Sequence, residues 1–201
     1  MDSDVTIANT ALMRVGVSQL IDDLADETTE ATLLNEIFAS VRDRVLRARP
    51  WPFARKDAAL ALVEDDPTTE WAYSYRYPSD CVFLRRIYSG LYRQDPRRTQ
   101  VPYLVASDAT GLLLYTDMEE AWMEYTWRLT NPVLMPDDFC SAFAWLLASE
   151  IAIPLGRDAG REYRNDALRQ YAMEITTASS AGFNEQTMDD DPPSEFISAR
   201  D

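Results

Sequence analysis

The sequence predicts an α+β protein: a bundle of about four helices, an inserted small antiparallel β domain and an extended C-terminal tail. Three observations predict it. Apolar residues recur at helical spacing near both ends of the 201-residue chain. Between them, over residues 71–129, the period changes to alternation. Beyond Gly182 the periodicity is lost, and the acidic, proline-bearing run Asp189-Asp190-Asp191-Pro192-Pro193 follows, which cannot fold alone. The predicted organisation is a discontinuous helical domain at 1–66 and 136–182, an inserted β domain at 67–135, and an extended tail at 183–201.

The first helix is predicted from about Asp4 to Val15, where Ile7, Ala8, Ala11, Leu12 and Val15 share a face and Gly16 ends it. A second helix begins near Thr28 and stops at Pro50 and Pro52, with Leu34, Ile37, Phe38, Val41 and Val45 as its apolar stripe. Its acidic start (Asp26, Glu27, Glu30) and basic end (Arg42, Arg44, Arg47, Arg49) both suit the helix dipole. Strands are expected at Trp71 to Tyr77, with Tyr73, Tyr75 and Tyr77 on one side, and at Cys81 to Tyr88. Tyr103 to Ala106 and Leu112 to Tyr115 flank Ser107-Asp108-Ala109-Thr110-Gly111, which reads as a hairpin turn. Ala121 to Leu129 alternates again, so 71–129 reads as one small antiparallel sheet. Helices resume after Pro136: one carries Phe139, Phe143, Leu146, Leu147 and Ile151 and closes at Pro154 and Gly156. The last runs from about Asp158 to Ala178 with Tyr163, Ala167, Tyr171 and Ile175 on a face.

Composition narrows the function classes. The chain has no histidine, so it offers no Ser-His-Asp triad, no Cys-His pair and no imidazole metal ligand. Cys81 and Cys140 are too few for a disulfide framework and fit no metal spacing, so both are expected as buried thiols. The paired carboxylates Asp22-Asp23, Asp65-Asp66 and Asp137-Asp138 are sequence neighbours, not two groups facing across a cleft. Asp189 to Asp191 lacks the spacing of a calcium loop, and no phosphate loop or dinucleotide fingerprint is present. No catalytic, cofactor or metal site is therefore predicted. A net charge of -15 repels phosphates and argues against ordinary nucleic-acid binding. Lys56 is the only lysine; the remaining positive charge is arginine, which suits planar contacts at protein interfaces. The acidic N-terminus Met1-Asp2-Ser3-Asp4 is unlike a signal peptide, and no apolar run approaches the roughly 20 residues that span a bilayer. The expectation is a protein made in a cytoplasm, without a membrane role.

Several segments carry a resemblance. Ile7-Ala8-Asn9-Thr10-Ala11-Leu12 to Gly16, followed by Ala31 and Asn35, is similar to the opening of phage tail tubular protein A and related head-to-tail adaptors. So is Val41-Arg42-Asp43-Arg44-Val45-Leu46-Arg47-Ala48-Arg49-Pro50-Trp51-Pro52-Phe53-Ala54, a basic helix end running into a Pro-Trp-x-Phe-Ala turn. Tyr75-Arg76-Tyr77-Pro78-Ser79-Asp80-Cys81 resembles the start of the sheet in that group, and Pro136-Asp137-Asp138-Phe139 the restart of its helical part. The match covers most of the chain in order. One departure is Arg49, where the group often has a histidine before the proline.

The resemblance implies a structural virion protein of the head–tail junction, assembled in the host cytoplasm, and no enzymatic activity. Subunits would form a roughly twelvefold ring below the portal protein. The helical part would face the portal and neighbouring subunits, and the β part the next tail component, a nozzle or tail tube. DNA would pass through the channel without specific binding. The C-terminal tail would dock in a groove of the portal.

Candidate residues follow. Phe196 and Ile197, two large apolar residues in a polar tail, and Arg200 are the portal-docking candidates. Burying the first two would contribute about 3–6 kcal/mol per copy before the cost of ordering, and a ring multiplies the contact. Deleting residues 194–201 is expected to leave the fold intact and abolish portal attachment. Arg42, Arg44, Arg47, Arg49, Trp51 and Phe53 are the subunit-interface candidates. The basic cluster, with Arg55 and Lys56, reads as inter-subunit ion pairing in preference to DNA contact, since each neutralised phosphate would slow ejection. The Pro-Trp-Pro-Phe turn reads first as a core staple and second as a partner contact. Arg93, Arg97 and Arg98 are an exposed loop or a contact to the next tail component. The alternatives are a tail-associated peptidoglycan hydrolase or other tail accessory protein, a DNA-packaging accessory, and a metabolic enzyme.

Overall fold

The computed structural model describes residues 3–65, 67–89 and 101–184. It is α+β: four helices and two small antiparallel sheets. The chain divides into two units, one of Met1–Ala54 with Arg128–Glu185, the other including Arg55–Trp127. The sequence-based boundaries at 66/67 and 135/136 therefore move to 54/55 and 127/128. The shift at the first boundary comes from two strands that the sequence pattern did not reveal.

In the helical unit, α1 (Asp4–Arg14) starts at Ser3, whose hydroxyl accepts the Thr6 N–H, and buries Ile7, Ala8, Ala11 and Leu12. It ends in a Schellman turn. Gly16 sits at φ 75° and donates to Met13 O, while Val17 N donates to Leu12 O. The loop that follows is tied back to the helix by Asn9, whose amide both donates to Ile21 O and accepts from Ile21 N. Helix α2 (Thr29–Ala48) starts at Thr28, which accepts the Ala31 N–H.

Helix α3 (Asp137–Leu155) is buried nearly all round, and α1, α2 and α4 (Gly160–Asn184) pack on it. By length and composition it is apolar enough to cross a membrane, unlike the reading from sequence runs, but 61% of that stretch is buried in this unit, the habit of a core helix. The α3–α4 turn is a close approach: a Cβ on Gly156 would lie 2.4 Å from Ala152 O, and one on Gly160 2.5 Å from the same oxygen. Ala167 and Ile175 of α4 are buried, as the helical spacing predicts. Helix α4 runs past the predicted end near Ala178 to Asn184, so residues 183 and 184 are helix, not tail. The rest of the expected tail lies outside the described residues.

Among the described residues the β unit holds seven strands. They are β1 (Arg55–Ala59), β2 (Ala61–Asp65), β3 (Tyr73–Arg76), β4 (Cys81–Ser89), β5 (Leu104–Asp108), β6 (Gly111–Thr116) and β7 (Ala121–Trp127). The single expected sheet is in fact two, in orders β1-β7-β4 and β2-β3-β6-β5, every pairing antiparallel. Tyr75, Leu84, Ile87, Leu114, Ala121, Met123 and Tyr125 form their common core. The predicted hairpin joins β5 to β6. Asp108 Oδ1 accepts from Thr110 N, Thr110 Oγ1 and Gly111 N, closing the turn.

Candidate functional site

The run that carries the resemblance folds as a helix end and a turn in the helical unit. At the C-terminus of α2 the chain leaves the helix at Arg49, where the last carbonyls of a helix need donors from outside it. The indole of Trp51 supplies one, its Nε1–H donating to Val45 O at 2.8 Å. Pro52–Ala54 forms a 3-10 turn that brings Phe53 alongside. Trp51 and Phe53 meet Phe139 of α3 edge-on, at centroid distances of 5.1 and 5.0 Å. Phe38 meets Phe143 in the same way at 4.9 Å. Trp51 is 2% exposed. It is a core staple and has no face to offer a neighbouring subunit; Phe53 is half-buried.

The arginines of α2 divide. Arg42 is buried, because position 42 falls on the same face as Phe38, Val41 and Val45. Its guanidinium donates to Asp43 Oδ1, and Asp43 Oδ2 accepts from Arg128 Nε at 2.7 Å. Arg44 Nη1 donates to Glu150 Oε1 of α3 at 2.6 Å. Arg44, Arg47 and Arg49 are exposed. Arg44 and Arg49 bear on Tyr171 of α4, whose hydroxyl is held above its usual range by burial, with the two cations pulling the other way. For Arg42 and Arg44, then, the ion pairs formed are intrachain, where inter-subunit ones were expected; Arg47 and Arg49 at the helix end are exposed.

No family model and no curated protein matches the chain. The remaining assignments rest on its own geometry.

In the β unit, Arg55 and Lys56 are likewise paired within the chain. Glu124 of β7 is 7% exposed and accepts from Arg86 of β4, Nε at 2.6 Å and Nη2, and from Arg55 Nη2 at 3.2 Å. Arg55 Nε also donates to Asp57 Oδ2, and the Tyr88 hydroxyl donates to Asp57 Oδ1. Burial first, then this carboxylate, push the Tyr88 phenol up to about 12. A second cluster joins Lys56 Nζ and Tyr125 Oη to the two oxygens of Asp80, at 2.6 and 3.0 Å. Burial works against the charged form of Asp80, but these two donors outweigh it and hold the carboxyl below its usual range. These networks knit strands together and were not foreseen, because their members lie far apart in sequence.

Cys140 is buried and Cys81 half-buried, its Sγ–H donating to the Tyr77 hydroxyl oxygen, so only the first matches the expected buried thiol. Among the described residues no group of three or more His, Cys, Asp and Glu is placed to hold a metal ion. Arg93, Arg97 and Arg98 lie outside the described residues, as do Phe196, Ile197 and Arg200.

Proposed function

We propose that the chain is a structural virion protein, a head-to-tail adaptor subunit that joins the portal to the next tail component in a roughly twelvefold ring lining the DNA exit channel. One observation carries the reading. The segment Val41–Ala54, where the resemblance is densest, is the point at which a helical unit discontinuous in sequence hands the chain to an inserted β unit. Its Pro-Trp-Pro-Phe turn is anchored on α3, so the exposed Arg47 and Arg49 sit on a fixed support. A fixed cationic edge on a chain of net charge -15 suits repeated pairing with acidic neighbours. The same net charge favours passage of DNA over its retention. The role is mechanical, with self-complementary packing around a ring and portal docking through the tail bearing Phe196, Ile197 and Arg200.

The test is co-sedimentation of the full chain, and of a chain lacking residues 194–201, with the portal ring encoded by the same genome. The reading expects saturable binding of the full chain and none of the truncated one. Absence of full-chain binding at both low and high salt would overturn it.

A further inference from the structure

Sheet β2-β3-β6-β5 has two outer edges, and among the described residues no strand pairs with either. A row of facing residues crosses the whole sheet: Leu62 opposite Tyr75, Tyr75 opposite Leu114, Leu114 opposite Val105. Directly opposed residues of antiparallel strands share a face, so the row lies on the core side. Its centre is closed, with Tyr75 3% and Leu114 0% exposed. Its ends are open, with Leu62 52% and Val105 42% exposed. The apolar layer thus runs out to both edges of the sheet and stops in solvent on each side.

Strand β5 carries little of the protection that isolated edge strands usually have, while β2 has its bulge and carboxylates at one end only. Strand β5 contains no lysine and no proline, and its one charge, Asp108, is engaged by Arg76 and by the hairpin turn. Tyr103 and Leu104, beside Val105, are also largely exposed. On β2, Leu62 and the adjacent Val63 are exposed before the strand bulges toward Glu64 and Asp65.

We infer that a second copy of this chain occupies these edges, β5 of one subunit pairing antiparallel with β2 of the next, so that Val105 meets Leu62 and the core row continues from subunit to subunit. Three features select this arrangement. With four antiparallel strands, β2 and β5 run in opposite directions, so head-to-tail addition keeps the sheet antiparallel; an odd number of strands would not. With Val105 facing Leu62, Ala106 falls opposite Ala61, Asp108 runs past the start of β2, and Glu64 and Asp65 run toward the uncharged Val101–Tyr103, so apolar meets apolar and the carboxylates are kept apart. Two-fold pairings centred on the strand midpoints do the reverse: β5 on β5 about Ala106 sets Leu104 against Asp108, and β2 on β2 about Val63 sets Leu62 against Glu64. A contact between two different edges is heterologous, and it propagates into a ring where the rotation between copies closes and into an open filament where it does not. The inference rests on the ring reading above only for that closure; the choice of edges stands on the sheet register.

Single-cysteine variants of the full chain, Leu62→Cys and Val105→Cys, test it under mild oxidation, with the wild-type chain as control for Cys81 and Cys140. The expected result is disulfide-linked dimers in the mixture, a ladder from the double variant, and monomer from each variant alone. Circular dichroism of both variants matching wild type shows that the fold is kept. Equal dimer from either single variant, or no linkage in the mixture, would overturn the inference. Portal binding measured on the same samples separates the two readings: binding without cross-links leaves the adaptor role standing and moves the subunit contact elsewhere.

Discussion

Removing the Trp51 indole should uncouple the end of α2 from α3. The side chain is 2% exposed, packs edge-on to Phe139 at 5.1 Å, and gives its N–H to Val45 O at 2.8 Å. Truncating a buried tryptophan to alanine costs about 3–5 kcal/mol through lost transfer energy and the cavity left behind. The Val45 carbonyl, an acceptor in the last turn of α2, loses this donor as well, for about 1 kcal/mol more. Trp51→Ala should therefore destabilise the helical unit by about 4–6 kcal/mol, comparable with the whole stability of many domains. Trp51→Phe keeps an aromatic ring against Phe139 and loses the hydrogen bond and part of the volume, so about 1.5–3 kcal/mol is expected. Urea unfolding followed by far-ultraviolet circular dichroism reads the helices directly and does not depend on the fluorophore being removed. If Trp51→Phe unfolds at the wild-type midpoint, and Trp51→Ala falls within about 1 kcal/mol of wild type, the staple argument is wrong.

Three further outcomes follow from the same kind of reasoning. Glu124→Ala leaves Arg86 without this acceptor and Arg55 dependent on Asp57 at a nearly buried site, and should cost about 3 kcal/mol in urea unfolding of the β unit; a wild-type midpoint would show that solvent compensates the guanidinium groups. Asp80 and Asp108 both have carboxyl groups held below the usual 3.8, Asp108 by Arg76 first and then by the Thr110 hydroxyl and turn amides. Because the folded values are depressed, their contribution is complete above the ordinary carboxylate range and is lost as pH falls through the lower folded values. Asp108→Asn should accordingly flatten the decline of β-unit stability below about pH 4, and an unchanged acid limb in thermal melts would count against the turn network. Gly156→Ala forces a Cβ to within 2.4 Å of Ala152 O, so the melting temperature should fall by several degrees, roughly what 1–3 kcal/mol gives at this size; an unaltered melt would mean the α3–α4 turn relaxes freely.

The helices were legible because burial imprints its period on them. Ile7, Ala8, Ala11 and Leu12 on α1, and Ala167 with Ile175 on α4, are buried where the spacing puts them. Strands β1 and β2 were not legible for the converse reason. Nearly every residue in them is exposed, they lie at sheet edges, and main-chain pairing holds them without imposing alternation on the side chains. The split into two sheets is set by pairings such as β1 with β7 and β3 with β6, which no local pattern encodes. Arg42 was readable in principle: an arginine four residues after Phe38 and three before Val45 lies on the apolar stripe. Its pairing with Asp43, which also holds Arg128, was not, since Arg128 returns from the far side of the β insertion. Glu124 falls on the polar side of the alternation over 121–129, yet β7 is the central strand of its sheet and is buried on both faces.

The adaptor reading stands or falls on association with a portal ring. Light scattering of the full chain, alone and then mixed with that ring, measures it directly. The account predicts that the ring's mass rises by a whole set of 22.9-kDa subunits and then saturates. A mixture whose components keep their separate masses across a range of salt would contradict it.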